Sequence, residues 1–378
     1  MLRLQKTVYI ICLVPALMMI NGGCKKSNAG SNPGIIPPPI VTDTTTLKNV
    51  APFKIGAAID VSLLQNDGAY RSLLLTQHSS ITTENVLKWP AVHPSETSFD
   101  FTGGDYIASF CAANNKRLHG HCLVWYQANP NWLINYNGDS TAWELLLKTH
   151  IQTVVGHYKG KASSWDVVNE AFHDNDGSLR VQDIIPGDNF DDGSIWARHL
   201  GRDYIARAFQ YAHEADPDAL LFYNDYGQEW SDAKTDSILS MVNDFKTRGI
   251  PISGLGIQMH TDINAYEPGI VKAIQKFAAT GLQIHISELD IAVNPSNDPA
   301  LTFSSTLASK QADKYAFIVH QYKLLVPKAQ QYGITTWNVT DKDSWIRTYL
   351  KHNDWPLLFD DRYSRKEAFI GFRDALIN

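Results

Sequence analysis

From about residue 50 to the C-terminus, short apolar runs alternate with longer segments of helical period. Eight runs read as strands: FKIGAAIDV (53–61), SSITTENV (79–86), LHGHCLVW (118–125), SSWDVVNE (163–170), ALLFYNDY (219–226), GLGIQMH (254–260), QIHISELDI (283–291) and ITTWNVT (334–340). The intervening pattern predicts amphipathic helices over Thr141–Tyr158, Arg202–Glu214, Asp232–Arg248 and Lys310–Gln330. Eight strands alternating with helices predict an α/β chain closed into a (β/α)8 TIM barrel. No repeat and no second low-complexity break interrupts 50–378. One catalytic domain without an appended binding module is the expectation.

Polar and aromatic residues gather at the C-terminal ends of these runs. Glu84, Asn85, Lys88 and Trp89 follow the second, and His121 and Trp125 belong to the third. Asn169 and Glu170 close the fourth, and Asn224, Asp225 and Tyr226 the fifth. Gln258 and His260 close the sixth, Glu288 and Asp290 the seventh, and Trp337 lies in the eighth. In a barrel all of them share one end, where enzymes of this fold keep their chemistry. Two glutamates on opposite strands, Glu170 and Glu288, suit glycoside hydrolysis, which needs little beyond two carboxyl groups. In its retaining form one carboxylic acid protonates the leaving oxygen and the other carboxylate attacks the anomeric carbon, the two standing about 5–5.5 Å apart. Negative charge near the proton donor would raise its pKa, and a His or Asn donor would hold the nucleophile still.

The first 49 residues break the pattern. Arg3 and Lys6 precede a mostly apolar run from Val8 to Ile20. Such a run falls short of the roughly 20 residues that span a bilayer and fits a signal-peptide core. Gly22 and Gly23 then precede Cys24, which resembles a bacterial lipoprotein signal cut before a lipidated Cys, with Asn21 where Leu is usual. The leader is expected over 1–23, with plain secretion as the alternative to lipidation. A flexible Pro/Ser/Thr-rich tether is expected over 24–49. The mature protein would then sit on a bacterial cell envelope, periplasmic or at the cell surface. Cys111 and Cys122 remain in the domain, with buried free thiols favoured over a disulfide, and no CxxC pair points to zinc.

Composition narrows the partners. The 378 residues carry a net charge of −6, which argues against nucleic acid, since phosphate binding wants a basic face. The 10 Trp and 16 Tyr offer flat faces for sugar rings, although core packing accounts for most of them.

Seven motifs in order carry a family resemblance: TTENVLKW (82–89), HGHCLVW (119–125), WDVVNEA (165–171), YNDY (223–226), GIQMH (256–260), ISELD (286–290) and WNVTDKDSW (337–345). The sequence resembles the glycoside hydrolase family 10 endo-β-1,4-xylanases over roughly 50–378. The resemblance implies hydrolysis of xylan and xylo-oligosaccharides with net retention, without cofactor or metal, by a chain expected to act as a monomer. It implies Glu170 as acid/base, Glu288 as nucleophile, and Asn169 as a ligand of the sugar 2-hydroxyl. It also implies that His260 orients Glu288 while Gln258 contacts the acid/base, with Asp290 in support. Substrate contacts are implied for Glu84, Asn85, Lys88, Trp89, Gln127, Asn224 and Tyr226, and a tryptophan-lined sugar site for His121, Trp125, Trp337 and Trp345.

Three positions depart from the family. Tyr126 stands where His is usual, Ala128 where Gln is usual (with Gln127 one residue early), and Asn338 where Gly follows the strand-eight Trp. They leave a related barrel acting on glucan open as a rival. A surface lipoprotein that binds xylan without cutting it is a second rival, and it would not need both glutamates. The polar segment Phe172–Trp196 is expected to shape the leaving-group side. Its Asp cluster does not follow a calcium-loop spacing, and a solvated loop is favoured.

Overall fold

The computed structural model describes residues 45–183 and 191–378. The segments expected to form a leader and a tether, Cys24 included, lie outside the described residues up to residue 44. The compact unit runs Thr45–Asn378. Leu47 opens a helical turn and is buried in its core. Residues 45–49 therefore belong to the folded domain rather than to the tether.

Eight strands build the barrel: β1 (Lys54–Ile59), β2 (Ser80–Thr83), β3 (Arg117–Gly120), β4 (Ser164–Asn169), β5 (Leu220–Asp225), β6 (Gly254–Ile257), β7 (Gln283–Ala292) and β8 (Gln331–Thr336). Each pairs in parallel with the next, and β8 pairs with β1, which closes the sheet. Closure leaves no edge strand and puts every C-terminal strand end at one mouth. A helix follows each strand: α1 (Gly68–Gln77), α2 (Thr102–Ala113), α3 (Ser140–His157), α4 (Tyr204–Ala215), α5 (Asp232–Arg248), α6 (Glu267–Ala278), α7 (Ser305–Leu325) and α8 (Glu367–Ile377). Covered by helices outside and side chains inside, the strands are buried on both faces. That is why their sequences read as near-continuous apolar runs.

Inside the barrel, His119 of β3, Phe222 of β5, His285 of β7 and Tyr332 of β8 form one ring-against-ring layer. Above it Asp166 of β4 is buried between His119 at 3.0 Å and His121 at 2.9 Å. Burial alone would raise the Asp166 pKa, but the two imidazoles hold it below the usual carboxylate range. Cys111 and Cys122 are buried free thiols.

Several element ends differ from the sequence expectation, each for a local reason. The eighth strand spans 331–336 rather than 334–340, because Asn338 takes a left-handed φ of 79° and stops the extended run. Trp337 thus follows the strand instead of lying within it. The third and sixth strands break early and resume as short extensions. Val124–Trp125 pairs with β4, and His260–Asp262 pairs with β7. His121 and Trp125 therefore lie beyond β3. Helix α7 starts at Ser305, capped by Ser304, and stops at Leu325, two residues before Pro327, instead of running 310–330. Proline has no N–H to donate and biases the residue before it away from helix.

Helix ends are sealed by side chains that the sequence places there. Asp139 accepts from the Ala142 N–H at 2.9 Å and caps α3. Asp139→Ala removes that acceptor and is expected to lower unfolding free energy by about 1 kcal/mol, read as a shift of the denaturation midpoint at unchanged slope.

Candidate active site

Strand β4 delivers Asn169 as its last residue, and Glu170 follows with a left-handed φ of 56°. A non-glycine residue adopts that backbone only when its surroundings hold it there. The Glu170 N–H donates to the Asn224 carbonyl at 2.9 Å. The Ala171 N–H donates to the Tyr223 hydroxyl at 3.0 Å. The Glu170 carbonyl accepts from Arg180 Nε at 3.0 Å. Strand β7 delivers Glu288, whose N–H donates to the Gln258 carbonyl at 3.0 Å. Both carboxyl-bearing residues are nearly buried, at 6% and 4% exposure.

Buried carboxyl groups need donors, and each of these has a set of its own. Glu170 Oε1 accepts from Gln258 Nε2 at 2.8 Å and Asn169 Nδ2 at 3.0 Å, and its Oε2 accepts from Trp125 Nε1 at 2.9 Å. Glu288 Oε1 accepts from Asn224 Nδ2 at 2.6 Å. Its Oε2 lies 3.1 Å from His260 Nε2. The two sets share members: Asn169 Oδ1 accepts from Asn224 at 2.8 Å and from Gln258 at 3.3 Å. One chain of amides thus joins the two carboxyl groups. Asn224 is oriented in turn by Ser287 Oγ, which donates to its Oδ1 at 2.6 Å. Glycine at 256 makes room for it, since a Cβ there would lie 2.0 Å from Asn224 Oδ1.

His260 links Glu288 to a further acid. Its Nδ1 lies 2.9 Å from Asp290 Oδ2, which also accepts from Trp345 Nε1 at 2.7 Å. Burial opposes charge on this imidazole, but the carboxylates of Asp290 and Glu288 outweigh it and raise its pKa to about 10. His260 is therefore an imidazolium at neutral pH and donates to both acids.

A second group of side chains lines the other part of the mouth. Lys88 Nζ donates to Asn85 Oδ1 at 3.0 Å and stands 5.1 Å from the Trp125 ring centre and 5.8 Å from that of Trp337. Trp337 packs edge-on against His121, with centroids 5.0 Å apart. Glu84 and Trp345 converge on Asn338, the residue expected to differ from the resembling family after the strand-eight Trp. Its Oδ1 accepts from the Trp345 N–H at 2.8 Å, and its side chain bonds Glu84. Burial pushes the Glu84 carboxyl pKa up, against the pull of Asn338 and Lys88.

Three of the residues expected to contact substrate are engaged by the protein itself. Trp89 is only 2% exposed. Its Nε1 donates to the Leu123 carbonyl and its ring stacks on His150, so it backs the mouth as a core residue. Asn224 is fully buried, and its amide donates to Glu288 and to Asn169, the neighbour of Glu170. The Tyr226 hydroxyl donates to Asp174 and accepts from Arg180, while Lys234 covers its ring at 3.6 Å. It belongs to the framework beneath the loop that follows β4. Gln127 turns its amide onto the Tyr126 hydroxyl at 2.6 Å. Trp125 carries more than the ring face expected of it, because its indole N–H also grips Glu170. Arg180 and Ser287 were not singled out by the sequence reading. Ser287 acts through Asn224 on another strand, and Arg180 reaches back across the loop after β4 to the Glu170 carbonyl. No motif spacing signals either contact. Among the described residues, no His, Cys, Asp and Glu cluster could hold a metal ion.

A closed parallel barrel with two buried, donor-held carboxyl groups at its C-terminal mouth defines a glycoside hydrolase of the two-carboxylate type. The chain matches Glycosyl hydrolase family 10 over residues 44–375 and belongs to that family. It is 37% identical over 360 residues to an endo-β-1,4-xylanase of Cellvibrio japonicus, covering 88% of this chain and 57% of that one. It is 35% identical over 334 residues to an exoglucanase of Acetivibrio thermocellus, covering 85% of this chain and 28% of that one. The chain thus spans little more than half, or less, of these two curated relatives. A solved structure of a mutant Cellvibrio japonicus xylanase in complex with xylopentaose superposes with a TM-score of 0.81 at 35% identity, covering 88% of this chain and 69% of that one.

The pH dependence of the His260 bridge follows from its sign. A pKa raised from the ordinary 6.5 to about 10 means the charged bridge is fully present below 6.5 and is lost as pH rises through 10. The imidazole of His260 is expected to remain protonated at pH 8 in a histidine-labelled NMR titration. A midpoint near 6.5 would show that neither carboxylate holds the proton.

Proposed function

We propose that this chain hydrolyses internal β-1,4-xylosidic bonds of xylan and xylo-oligosaccharides with net retention, by double displacement. The observation that carries the reading is the unequal setting of the two glutamates. Glu288 has a cation, His260, against its carboxyl group. Glu170 has neutral N–H donors at its carboxyl group, and Arg180 touches only its carbonyl. A carboxylate beside a fixed cation suits the nucleophile, and the other carboxyl group suits proton exchange. In the first step the Glu170 proton passes to the glycosidic oxygen as its bond to the anomeric carbon breaks and a Glu288 oxygen bonds that carbon. In the second, water attacks the same carbon, gives its proton to Glu170 and releases Glu288. Asn169 would bond the 2-hydroxyl of the sugar at the cleavage point, a contact that tightens as charge develops there.

The substrate class rests on the family, the xylanase relatives and the walls of the mouth. Trp125, Trp337 and Trp345, with Lys88, Asn85, Glu84 and His121 beside them, would receive the sugars on the non-reducing side. Xylose lacks the hydroxymethyl group that such a wall would exclude. The identity to an enzyme named an exoglucanase makes glucan the alternative to be tested. Both acids and their donors come from one chain, and we read the protein as acting as a monomer without a cofactor.

Release of reducing sugar from purified 45–378 is expected mainly from xylan when xylan, mixed-linkage glucan and carboxymethyl cellulose are compared. The first product should carry the β-anomeric proton by NMR. Glu170→Ala should lose about 10²–10⁴-fold on xylan and much less on substrates with activated leaving groups. Glu288→Ala should be inactive on both. Activity on glucan alone, or an α-anomer as first product, would overturn the reading.

We further propose that residues 1–23 are removed and that Cys24 is lipidated, anchoring the domain to a bacterial envelope through the 25–44 tether. The positive start, the apolar run of residues 8–20 and the small residues before Cys24 support this. Cys24→Ala should move the full-length protein from the membrane fraction to the soluble fraction. A full-length protein already in the soluble fraction with Cys24 intact would favour plain secretion.

A further inference from the structure

Arg180 is almost wholly buried, yet it belongs to neither set of carboxyl donors. Its Nε donates to the Glu170 carbonyl, and its Nη2 donates to Asp174 at 3.0 Å and to the Tyr226 hydroxyl at 3.1 Å. Its Nη1 reaches the Asp192 carbonyl at 3.4 Å and lies 3.3 Å from His173 Nδ1. One face of the guanidinium lies 4.3 Å from the centre of the Tyr126 ring. A buried guanidinium over an aromatic face is attracted by the ring quadrupole, the more so without water between them. Tyr126 is buried and follows Trp125 directly, with the two rings edge to face at 6.0 Å. Trp125 holds the Glu170 carboxyl group. Tyr126 therefore backs both grips on one residue: the indole on the carboxyl group and the guanidinium on the carbonyl. Glu170 itself has a left-handed backbone, which its neighbours must maintain.

We propose that Tyr126 and Arg180 are positioning residues for Glu170, a stacked pair that fixes the backbone of the proton donor and so the aim of its carboxyl group at the leaving oxygen. The inference rests on the reading of Glu170 as acid/base. It gives Tyr126 a role at this point of the mouth through Trp125 and Arg180. It also predicts an effect on proton donation to poor leaving groups rather than on sugar binding.

The test compares kcat/KM for aryl β-xylobiosides with a poor and with an activated leaving group, since only the former needs a well-aimed acid. Arg180→Lys keeps the charge but loses the fork and the planar stack, and Tyr126→Leu removes the ring face. Each should lose about 10- to 100-fold on the poor substrate, the scale of a misplacement of about 1 Å. On the activated substrate each should stay within about threefold of the parent, with KM for xylotetraose little changed. Tyr126→Phe retains the ring face and should recover most of the rate on the poor substrate. Equal losses on both substrates, or no loss on either, would overturn the proposal. If Arg180→Lys does not fold, as read by near-UV circular dichroism, Tyr126→Leu carries the same comparison. Glu170→Ala runs alongside: without the same leaving-group contrast in that variant, the acid/base reading fails and the pair's role falls with it.

Discussion

Two carboxyl groups buried at one mouth are the constraint around which this structure is arranged. Water cannot solvate Glu170 and Glu288 as it would at the surface, so the protein supplies N–H donors in its place. Those donors are themselves buried amides that need acceptors. Asn169, Asn224 and Gln258 meet this need by bonding one another as well as the acids. The result is a network with few free rotamers, built by β4, β5, β6 and β7. The register of the barrel thus becomes a chemical requirement. A slip of one residue in β5 would turn Asn224 out of the barrel and leave both acids short of a partner.

The same mouth concentrates the unusual backbone. Glu170, Met259 and Asn338 all take left-handed φ values just past strand ends, and Ala128 does so in the loop after Trp125. Each bends the chain at the point where a side chain must leave the strand direction to face the cleft. The barrel beneath them is buried and packed on both faces, which is what lets these positions persist. Asn tolerates the left-handed region better than most residues. At 338 its side chain also ties Glu84 to the segment that opens with Trp345. A glycine there would permit the turn but make neither bond.

Charge is distributed with equal care. His260 stands between Glu288 and Asp290 and carries a proton that its burial alone would expel. Asp166 is held ionised by two imidazoles in the barrel interior. In both cases pairing defeats desolvation because the partners sit at hydrogen-bond distance. Arg180 extends the pattern to the loop after β4, where it joins Asp174, Tyr226 and the backbone of Glu170.

The sequence by itself determined the barrel, its eight strands in order and the two acids. Burial on both strand faces leaves a continuous apolar signature, and the mouth leaves a polar residue at each strand end. It also marked Asn169, Gln258 and His260, which bond the acids, and Asp290 behind His260, because all four lie within a few residues of a strand end. Tertiary structure alone decided which aromatic and polar residues face the cleft. Trp89 and Tyr226 sit in motifs beside true mouth residues, yet packing against His150 and Lys234 draws them inward. Trp125 acquired a hydrogen-bonding role, and Tyr126 and Arg180 became neighbours, only when chain segments more than 40 residues apart met. Periodicity records how a residue faces its own strand or helix. Contacts between segments are set by how those elements close on one another.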